Sequence, residues 1–362
     1  TASNHTLYAK WNNPSVTLET PVRAGYTFDG WYTDESLKTK AGNGGASYSI
    51  GANTTLYAKW IANTDTKYTV VHKKMNLDGT YPEGNSPIAG KVEVVEKAGT
   101  TDSNVTPETN TYTGFTAPEK QTVTIKGDGT RVIKLYYART SGTLKTVAGE
   151  NIESVTVQNS VKYYYGATVP SLTAKTMTIE GHTVTFSKWT SNNETYVKSS
   201  TVNPYGSFTW PAIPDGTAIT LTASASKTPN KYEVTYKDVV GSTTGKVLGT
   251  SKESVNFGTQ VTGASKGTDT TEGAYYKGYL YDSSTTATVT TSGATVYRIF
   301  KPSTNTKYTV EHYVMKTDGT YEEEATKTDS TKTGTTDSEV TIANLKDSTL
   351  LVTNGIYYSY GQ

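Results

Sequence analysis

Hydrophobic and polar residues alternate along most of this chain. Leu7, Ala9 and Trp11 fall on one face of an extended segment with Tyr8 and Lys10 on the other, and the same five residues return at 56–60. A period of two is typical of half-buried strands. Helical periodicity is nearly absent, and Thr, Val, Tyr and Gly are frequent, so the pattern predicts an all-β chain. Short helical turns are expected at most near residues 34–38 or 170–175.

Two segments carry the sequence features of β-hairpins. Residues 122–126 and 131–137 are rich in β-forming residues and flank the turn at Asp128 and Gly129. An Asp-Gly pair between such runs is the strongest short-range signal of a hairpin. Residues 289–291 and 295–300 flank a Ser-Gly pair in the same way.

The sequence also repeats itself at a long interval. Tyr68 reappears as Tyr232, an offset of 164, and the same offset applied to the last strand matches Leu135 to Ile299. A third start lies at residues 306–310. Self-similarity at a fixed period is typical of tandem arrays of small modules. The pentapeptide 99–103 is likewise repeated at 334–338, and the third copy is expected to be incomplete.

The repeats and the short polar segments between them divide the chain into modules. Polar joints are predicted at 62–66, 141–143, 227–230 and 302–305. Joints this short restrict the angles between neighbours, so we expect an elongated rod on the order of 150 Å long. The predicted modules are 12–61, 67–139, 144–228, 231–301 and an incomplete 307–362, with 1–11 as the end of a preceding module.

Composition narrows the classes of partner. The 362 residues carry 34 Lys and Arg against 33 Asp and Glu, a net charge of +1, and contain no basic block. Nucleic acid and membrane insertion are therefore not expected. Cysteine is absent, which excludes disulfides and thiolate chemistry. An array of Thr- and Tyr-rich modules without cysteine is compatible with export.

Two stretches resemble known repeat families. Residues 25–34, with the sequence GYTFDGWYTD, and the closing strand 56–60 resemble the Listeria–Bacteroides repeat of internalin B-type surface proteins. Residues 144–228 resemble the same repeat more weakly. The modules 67–139, 231–301 and the incomplete 307–362 form a second type, with a Tyr-x-Val opening strand and an aromatic-x-Gly-aromatic step, and this type resembles MucBP-like repeats. These resemblances imply β-grasp-like, β-rich folds in bacterial extracellular or cell-surface proteins, where such repeats form stalks or adhesive segments.

No catalytic residue, metal ligand or cofactor is predicted. The histidines are His5, His72, His182 and His312, and the repeat counterpart of His72 is Tyr236, which favours a packing role. No zinc-type histidine spacing is present. The paired acids at 34–35 and 322–324 lie in polar, turn-like stretches, where two carboxylates are not expected to converge in a cleft.

Aromatic residues are the remaining candidates. Consecutive tyrosines in a strand point to opposite faces, so runs of tyrosine predict exposed rings that could contact a sugar or a protein. Cross-strand packing is the competing interpretation. The candidate contact residues are Tyr163, Tyr164, Tyr165, Tyr275 and Tyr276, and a further run lies at 357–358. The predicted core residues are Phe28, Trp31, Trp60, Phe115, Phe186, Trp189 and Tyr279.

Three functional hypotheses follow for a chain that is not expected to be an enzyme. The preferred one is a spacer in a bacterial surface or extracellular protein. The second is an adhesin that binds host mucin, a glycan or a protein receptor through exposed tyrosines. The third is self-association into a filament through open strand edges.

Overall fold

A computed structural model of the chain describes residues 14–346 and the short strands at 352–353 and 356–357. All elements in this part are strands or single-turn 3-10 helices, as the alternating pattern predicts. The chain divides into two compact units, residues 1–175 with 186–224, and residues 176–185 with 225–362. The predicted preceding module at 1–11 lies outside the described residues, as does Tyr358.

In the first unit, the first module packs its aromatic residues on one three-stranded sheet. Phe28 lies 5.6 Å from Trp31 and 5.3 Å from Trp60, measured between ring centres. A bulge between Phe28 and Gly30 shifts the strand register and keeps the rings of Phe28 and Trp31 on one face of the sheet. The sheet has the order β3-β2-β5, and β1 pairs with β4. The strands are β1 (Ser15–Thr17), β2 (Tyr26–Tyr32), β3 (Lys40–Gly42), β4 (Ser47–Ser49) and β5 (Tyr57–Ala62).

The second module has a four-stranded mixed sheet whose first and last strands are parallel neighbours. Alternate residues of its two central strands, including Val70 and Leu135, are buried in one core with Ile125. The order is β7-β6-β11-β9, with β6 and β11 parallel, and β8 pairs with β10. The strands are β6 (Thr66–Lys74), β7 (Val92–Gly99), β8 (Asn104–Val105), β9 (Phe115–Thr116), β10 (Val123–Thr124) and β11 (Val132–Arg139).

The third module has the same strand order. Its sheet runs β14-β12-β19-β17, again with the first and last strands, β12 and β19, in parallel. Trp189, Trp210 and Leu144 are fully buried in it. The strands are β12 (Ser141–Ala148), β13 (Ile152–Val155), β14 (Val161–Tyr164), β15 (Thr168–Val169), β16 (Ala174–Thr176), β17 (His182–Ser191), β18 (Phe208–Thr209) and β19 (Thr217–Pro229).

In the second unit, the fourth module repeats this topology. Its sheet has the order β21-β20-β25-β23, with β20 and β25 parallel, and β22 pairs with β24. Val234, Tyr236 and Val296 form its buried centre. The strands are β20 (Lys231–Val240), β21 (Val247–Asn256), β22 (Gln260–Thr262), β23 (Tyr279–Ser284), β24 (Thr286–Thr288) and β25 (Ala294–Pro302).

The last described segment contains two antiparallel strand pairs, β26 with β27 and β28 with β29. The helical turns at 34–38 and 170–175 are not formed. The described 3-10 helices are instead Gly263–Lys266 and Ile342–Leu345. At residue 34 the Asp34 carboxylate accepts the N–H groups of Lys38 and Thr39, which holds a turn. The strands are β26 (Thr306–His312), β27 (Lys327–Gly334), β28 (Val352–Thr353) and β29 (Ile356–Tyr357).

The strand register corrects one detail of the predicted repeat. Leu135 pairs with His72, and Val296 pairs with Tyr236, the repeat counterpart of His72. The counterpart of Leu135 is therefore Val296, an offset of 161, and its match to Ile299 is wrong. The offset of 164 holds on the opening strand and is lost on the closing strand, because pairing across the sheet fixes the register there.

Candidate functional site: the junctions between modules

Successive modules are joined by very few residues. Thr140 alone separates β11 from β12, and Asn230 alone separates β19 from β20. Residues 141–143, predicted to be a joint, form the start of β12. Residues 63–65 and 303–305 connect the other two pairs of strands. Because so little chain lies between modules, the contacts at each junction set how the neighbours meet.

One residue at each junction connects two turns through its main chain. Its N–H donates to a glycine carbonyl in the module before, and its carbonyl accepts an N–H from the module after. The first set of bonds joins Asn63 to Gly25, Thr140 to Gly114, Asn230 to Gly181 and Ser303 to Gly278, at 2.9, 2.9, 2.8 and 2.9 Å. The second set joins Thr101 to Asn63, Tyr165 to Thr140, Phe257 to Asn230 and Thr336 to Ser303, at 2.9, 2.9, 2.8 and 2.9 Å.

The turn before each joint, here called the glycine turn, has glycine as its third residue. The fourth residue is Tyr26, Phe115, His182 or Tyr279, and its N–H closes the turn onto the first residue at 3.1 Å in all four cases. The four glycines have φ between 69° and 82°. A positive φ at the third position is the mark of a type II turn and favours glycine. The glycine turns are residues 23–26, 112–115, 179–182 and 276–279.

The turn after each joint, here called the receiving turn, is built in the same way. Its first carbonyl accepts the N–H of its fourth residue, and its third residue has a positive φ. That third residue is aspartate or glycine, which are among the residues that tolerate the left-handed region. The receiving turns are residues 100–103, 164–167, 256–259 and 335–338.

The two turns touch so closely that the glycine has no room for a side chain. A Cβ on Gly114 would overlap the ring of Tyr165, and a Cβ on Gly181 would overlap the ring of Phe257. At Gly278 it would lie 2.7 Å from the Thr336 hydroxyl. Backbone conformation and close approach therefore both require glycine at these positions.

Two junctions are closed by polar side chains. The Tyr26 hydroxyl donates to the Asp102 carboxylate, and the Tyr279 hydroxyl donates to Asp337 at 2.5 Å. The hydroxyl of Thr101 adds a bond of 2.8 Å to the Gly25 carbonyl. The hydrogen bond from Tyr279, followed by that from Lys246, holds the pKa of the Asp337 carboxyl below its usual range. The same kind of bond to Asp102 raises the pKa of Tyr26.

The other two junctions are closed by aromatic rings. Phe115 and Tyr165 meet edge to face with ring centres 6.0 Å apart, and His182 and Phe257 do so at 5.5 Å. Edge-to-face pairs of this kind stabilise contacts beyond the area they bury. Arg139 reinforces the first of these junctions, because its guanidinium donates to the Tyr165 carbonyl at 2.6 Å.

A cavity of about 560 Å³ opens beside the junction at Thr140, within the first unit. Tyr164, Lys162 and Asp215 are among its lining residues, and the Lys162 ammonium lies 4.8 Å from the centre of the Tyr164 ring. One carboxylate oxygen of Asp215 accepts the Ser141 N–H at 2.7 Å. The cavity thus combines one aromatic face with charges of both signs.

The structure gives the predicted contact tyrosines different environments. Tyr165 lies in a receiving turn, Tyr164 lines the cavity, and Tyr163 stacks on Trp210. In the fourth module, Tyr276 donates to Asp238 at 2.6 Å. The ring of Tyr275 lies 5.8 Å from Phe300.

The predicted core residues also differ in exposure. Trp189 and Tyr279 are buried. The half-buried members are Phe28, Trp31, Trp60, Phe115 and Phe186. Two of the set, Phe115 and Tyr279, also contact a receiving turn. The receiving turns themselves were missed as functional elements, although the repeated pentapeptide 99–103 and 334–338 marks two of them.

Within residues 14–346, no group of three or more His, Cys, Asp or Glu side chains is arranged to hold a metal ion. Burial lowers the pKa of His72, whose Nδ1 lies 2.8 Å from the Tyr137 hydroxyl. In the described part of the chain, no helix is long and apolar enough to cross a membrane.

One module of the chain is similar to a known repeat family. Residues 12–59 match the Listeria-Bacteroides repeat domain. The match includes the glycine turn of the first module and Phe28 and Trp31 of its sheet, and ends one residue before Trp60. No curated protein sequence matches the chain.

Several solved structures are similar to parts of the chain. The Bacillus anthracis TIE protein is 11% identical with a TM-score of 0.28, and the match covers 71% of this chain and 55% of that one. Domains 3-4 of the Streptococcal High Identity Repeats in Tandem of a cell surface protein are 16% identical with a TM-score of 0.23, covering 45% and 98%. The open form of the pilus adhesin SpaC from Lactobacillus rhamnosus GG is 10% identical with a TM-score of 0.16, covering 70% and 46%.

Proposed function

We propose that this chain is a non-enzymatic repeat region of a bacterial cell-surface or extracellular protein and acts as a spacer. The observation that carries the proposal is the parallel pairing of the first and last strands in three modules, β6 with β11, β12 with β19, and β20 with β25. In a parallel pair the chain enters at one end of the sheet and leaves at the other. A nine-residue strand such as β6 separates the two ends by roughly 30 Å.

The junctions support the same function. A spacer must pass its direction from module to module, and each junction fixes a single joint residue by two main-chain hydrogen bonds. The match of residues 12–59 to a repeat domain supports a repeat region. We further propose the module boundaries 12–61, 67–139, 144–228, 231–301 and 307–362, with MucBP-like modules at the second, fourth and fifth positions.

Small-angle X-ray scattering of the chain tests the spacer function. We expect a maximum dimension on the order of 150 Å. Paired Gly114→Ala and Gly278→Ala changes should broaden the distance distribution, because both junctions lose their close contact. Paired Gly79→Ala and Gly319→Ala changes are the matched control, since these glycines also have positive φ but face open space. A radius of gyration near about 21 Å, that of a compact domain of 362 residues, would contradict the proposal.

A second candidate function, glycan binding, is favoured by the cavity beside Tyr164. An aromatic face beside hydrogen-bonding charged groups suits a sugar ring that bears a carboxylate. Binding to a glycan array is the test, with Tyr164→Ala and Lys162→Ala expected to remove the signal. Tyr321→Ala is the control, because this tyrosine is 61% exposed and distant in sequence from the cavity. An array without signal for the unaltered chain would rule out this function for the cavity.

A further inference from the structure

The four junctions share one main-chain frame but use two side-chain chemistries. A tyrosine at the end of the glycine turn meets a Thr-Asp receiving turn at the first and fourth junctions. A phenylalanine or histidine at the same place meets an aromatic-Gly receiving turn at the second and third junctions. No mixed pair occurs among these four junctions.

The side-chain contact at a junction depends on which two turns meet there and not on the type of module. The second and fourth modules present equivalent glycine turns, with Phe115 at the repeat position of Tyr279. Phe115 meets Tyr165 of the module after it, whereas Tyr279 meets Asp337. One repeat position therefore carries a different residue according to the turn it faces.

We infer that these paired residues form a recognition code between modules, in which each glycine turn accepts only a receiving turn of matching chemistry. The partner of each glycine turn is thus a neighbouring module with the matching turn. This inference rests on the same junctions as the proposed spacer function and adds the residues that determine which modules can follow one another.

Both mismatched combinations of a glycine turn and a receiving turn are expected to be unfavourable. A phenylalanine facing Asp102 or Asp337 would leave the carboxylate without its tyrosine donor and against an apolar ring edge. A tyrosine facing an aromatic-Gly turn would place its hydroxyl where a Thr-Asp turn has its carboxylate. The aromatic-Gly turn has glycine at that position, so the hydroxyl would lack this acceptor. The third residue of the receiving turn must also tolerate positive φ, and the residues observed there are aspartate and glycine.

The fourth junction offers the sharpest test, because a Cβ on Gly278 would meet Thr336 and Thr306, and the Gly278 carbonyl accepts a hydrogen bond from the Thr336 hydroxyl at 2.7 Å. The readout is hydrogen exchange of the peptide that contains the Ser303 amide, which donates to Gly278. Tyr279→Phe alone should lower its protection about tenfold, because a charge-assisted hydrogen bond is lost. The receiving-turn change Thr336→Tyr with Asp337→Gly should lower it by about the same factor or more.

The combination of all three changes rebuilds the Phe-Tyr-Gly chemistry of the second junction and should restore most of the protection. If the losses simply accumulate in the triple variant, the inference is overturned. Exchange of the amides in β20 and β25 reports whether the fourth module remains folded in each variant. Scattering measurements on the unaltered chain test the spacer function separately, so failure of one proposal is distinguishable from failure of the other.

A second test, a double-mutant cycle of Tyr26 and Asp102 at the first junction, does not involve the last described module. Tyr26→Phe should lower protection of the Asn63 amide when Asp102 is present and have almost no effect in the Asp102→Gly background. An equal effect of Tyr26→Phe in both backgrounds would overturn the matched pairing. Glycine is used at 102 because that residue has a φ of 59°.

Discussion

Glycine determines whether each junction can close. Gly114 has a φ of 76°, and a Cβ there would lie 2.1 Å from the Tyr165 ring. Gly79, in the same module, has a φ of 84° with no atom near its missing side chain. Comparing substitutions at Gly114 and Gly79 therefore separates the free-energy cost of the backbone conformation from that of the contact with the Tyr165 ring.

We expect Gly114→Ala to destabilise more than Gly79→Ala. Both changes place alanine in the left-handed region at a cost of about 1–2 kcal/mol, and only the first also forces overlap, which adds about 1–3 kcal/mol. Urea denaturation of the two variants gives the difference. Hydrogen exchange at Thr140 should rise in the first variant alone, and equal exchange in both would show that the ring contact contributes nothing.

We expect His72 to make the second module sensitive to acid. The residue is 5% exposed, and burial is the main reason for its lowered pKa, with smaller contributions from Glu93, which raises the pKa, and Lys97, which lowers it. The unfolded chain therefore binds a proton more readily than the folded module. The neutral histidine contributes its full stability above the unfolded pKa of about 6.5, and this contribution is lost as the pH falls below that value.

The measurement is the free energy of unfolding of the second module between pH 8 and pH 5, followed by exchange of the β6 amides. His72 should contribute a slope of at most about 1.4 kcal/mol per pH unit below its unfolded pKa. His72→Phe should remove that component of the slope. An unchanged pH profile in this variant would mean that other groups cause the acid sensitivity.

Among the strands, β20 and β25 carry a buried ion pair. The Arg298 guanidinium donates to both carboxylate oxygens of Asp238 at 2.7 Å, and Tyr276 donates to the same carboxylate. Burial, followed by the bond to Asp238, raises the pKa of Tyr276 to about 12. By strand register the second module has Lys74 and Tyr137 at the positions of the pair. The fold therefore does not depend on the ion pair itself.

Removing one partner should nevertheless be costly. We expect Arg298→Ala to destabilise the fourth module by about 3–5 kcal/mol, because it leaves a buried carboxylate unpaired. The double change Asp238→Leu with Arg298→Met should be much milder, because no charge stays buried. Urea denaturation of the single and double variants decides, and a double variant as unstable as the single one would contradict the argument.

Local sequence features predicted the strands better than their registration. Alternation identified the strands around Trp60 and Leu135. The hairpin predicted at Asp128-Gly129 was wrong, because the turn lies between β10 and β11 but β10 pairs with β8 and β11 with β6 and β9. The offset on the closing strand was wrong because β25 takes its register from β20, far away in sequence. A pattern within one strand contains no information on that pairing.

The junctions were only partly predictable for a related reason. The aromatic-x-Gly-aromatic step at 112–115 was visible as a repeated motif, but its main-chain partner is Thr140, whose carbonyl accepts the N–H of Tyr165 in the next module. Hydrogen bonds between backbone groups leave almost no trace in residue type. The sequence retains only the glycine of the glycine turn and the residue of positive φ in the receiving turn.

For the molecule as a whole, strand edges decide between a monomer and an assembly. β7 and β21 each lie at the edge of a sheet and pair on one side with a central strand. Glu96 and Lys97 are exposed on β7, and Lys252 is exposed on β21. Charged residues on an edge oppose pairing with a second chain.

We therefore expect sedimentation velocity to show a single monomeric species whose sedimentation coefficient does not change with protein concentration. Replacing Glu96 and Lys97 by threonine should promote association, because the edge then lacks its charges. Exchanging the two residues, Glu96→Lys with Lys97→Glu, is the control and should stay monomeric. Concentration-dependent association of the unaltered chain would favour the filament hypothesis.

Parallel pairing of β6 with β11 has a mechanical consequence for a tether that is pulled from both ends. Tension applied to the two termini of such a module acts along the strands in opposite directions, so it loads the whole ladder of cross-strand bonds in shear. An antiparallel hairpin pulled at its open end would instead unzip one bond at a time. Each of the three modules with this pairing would therefore resist traction as a unit.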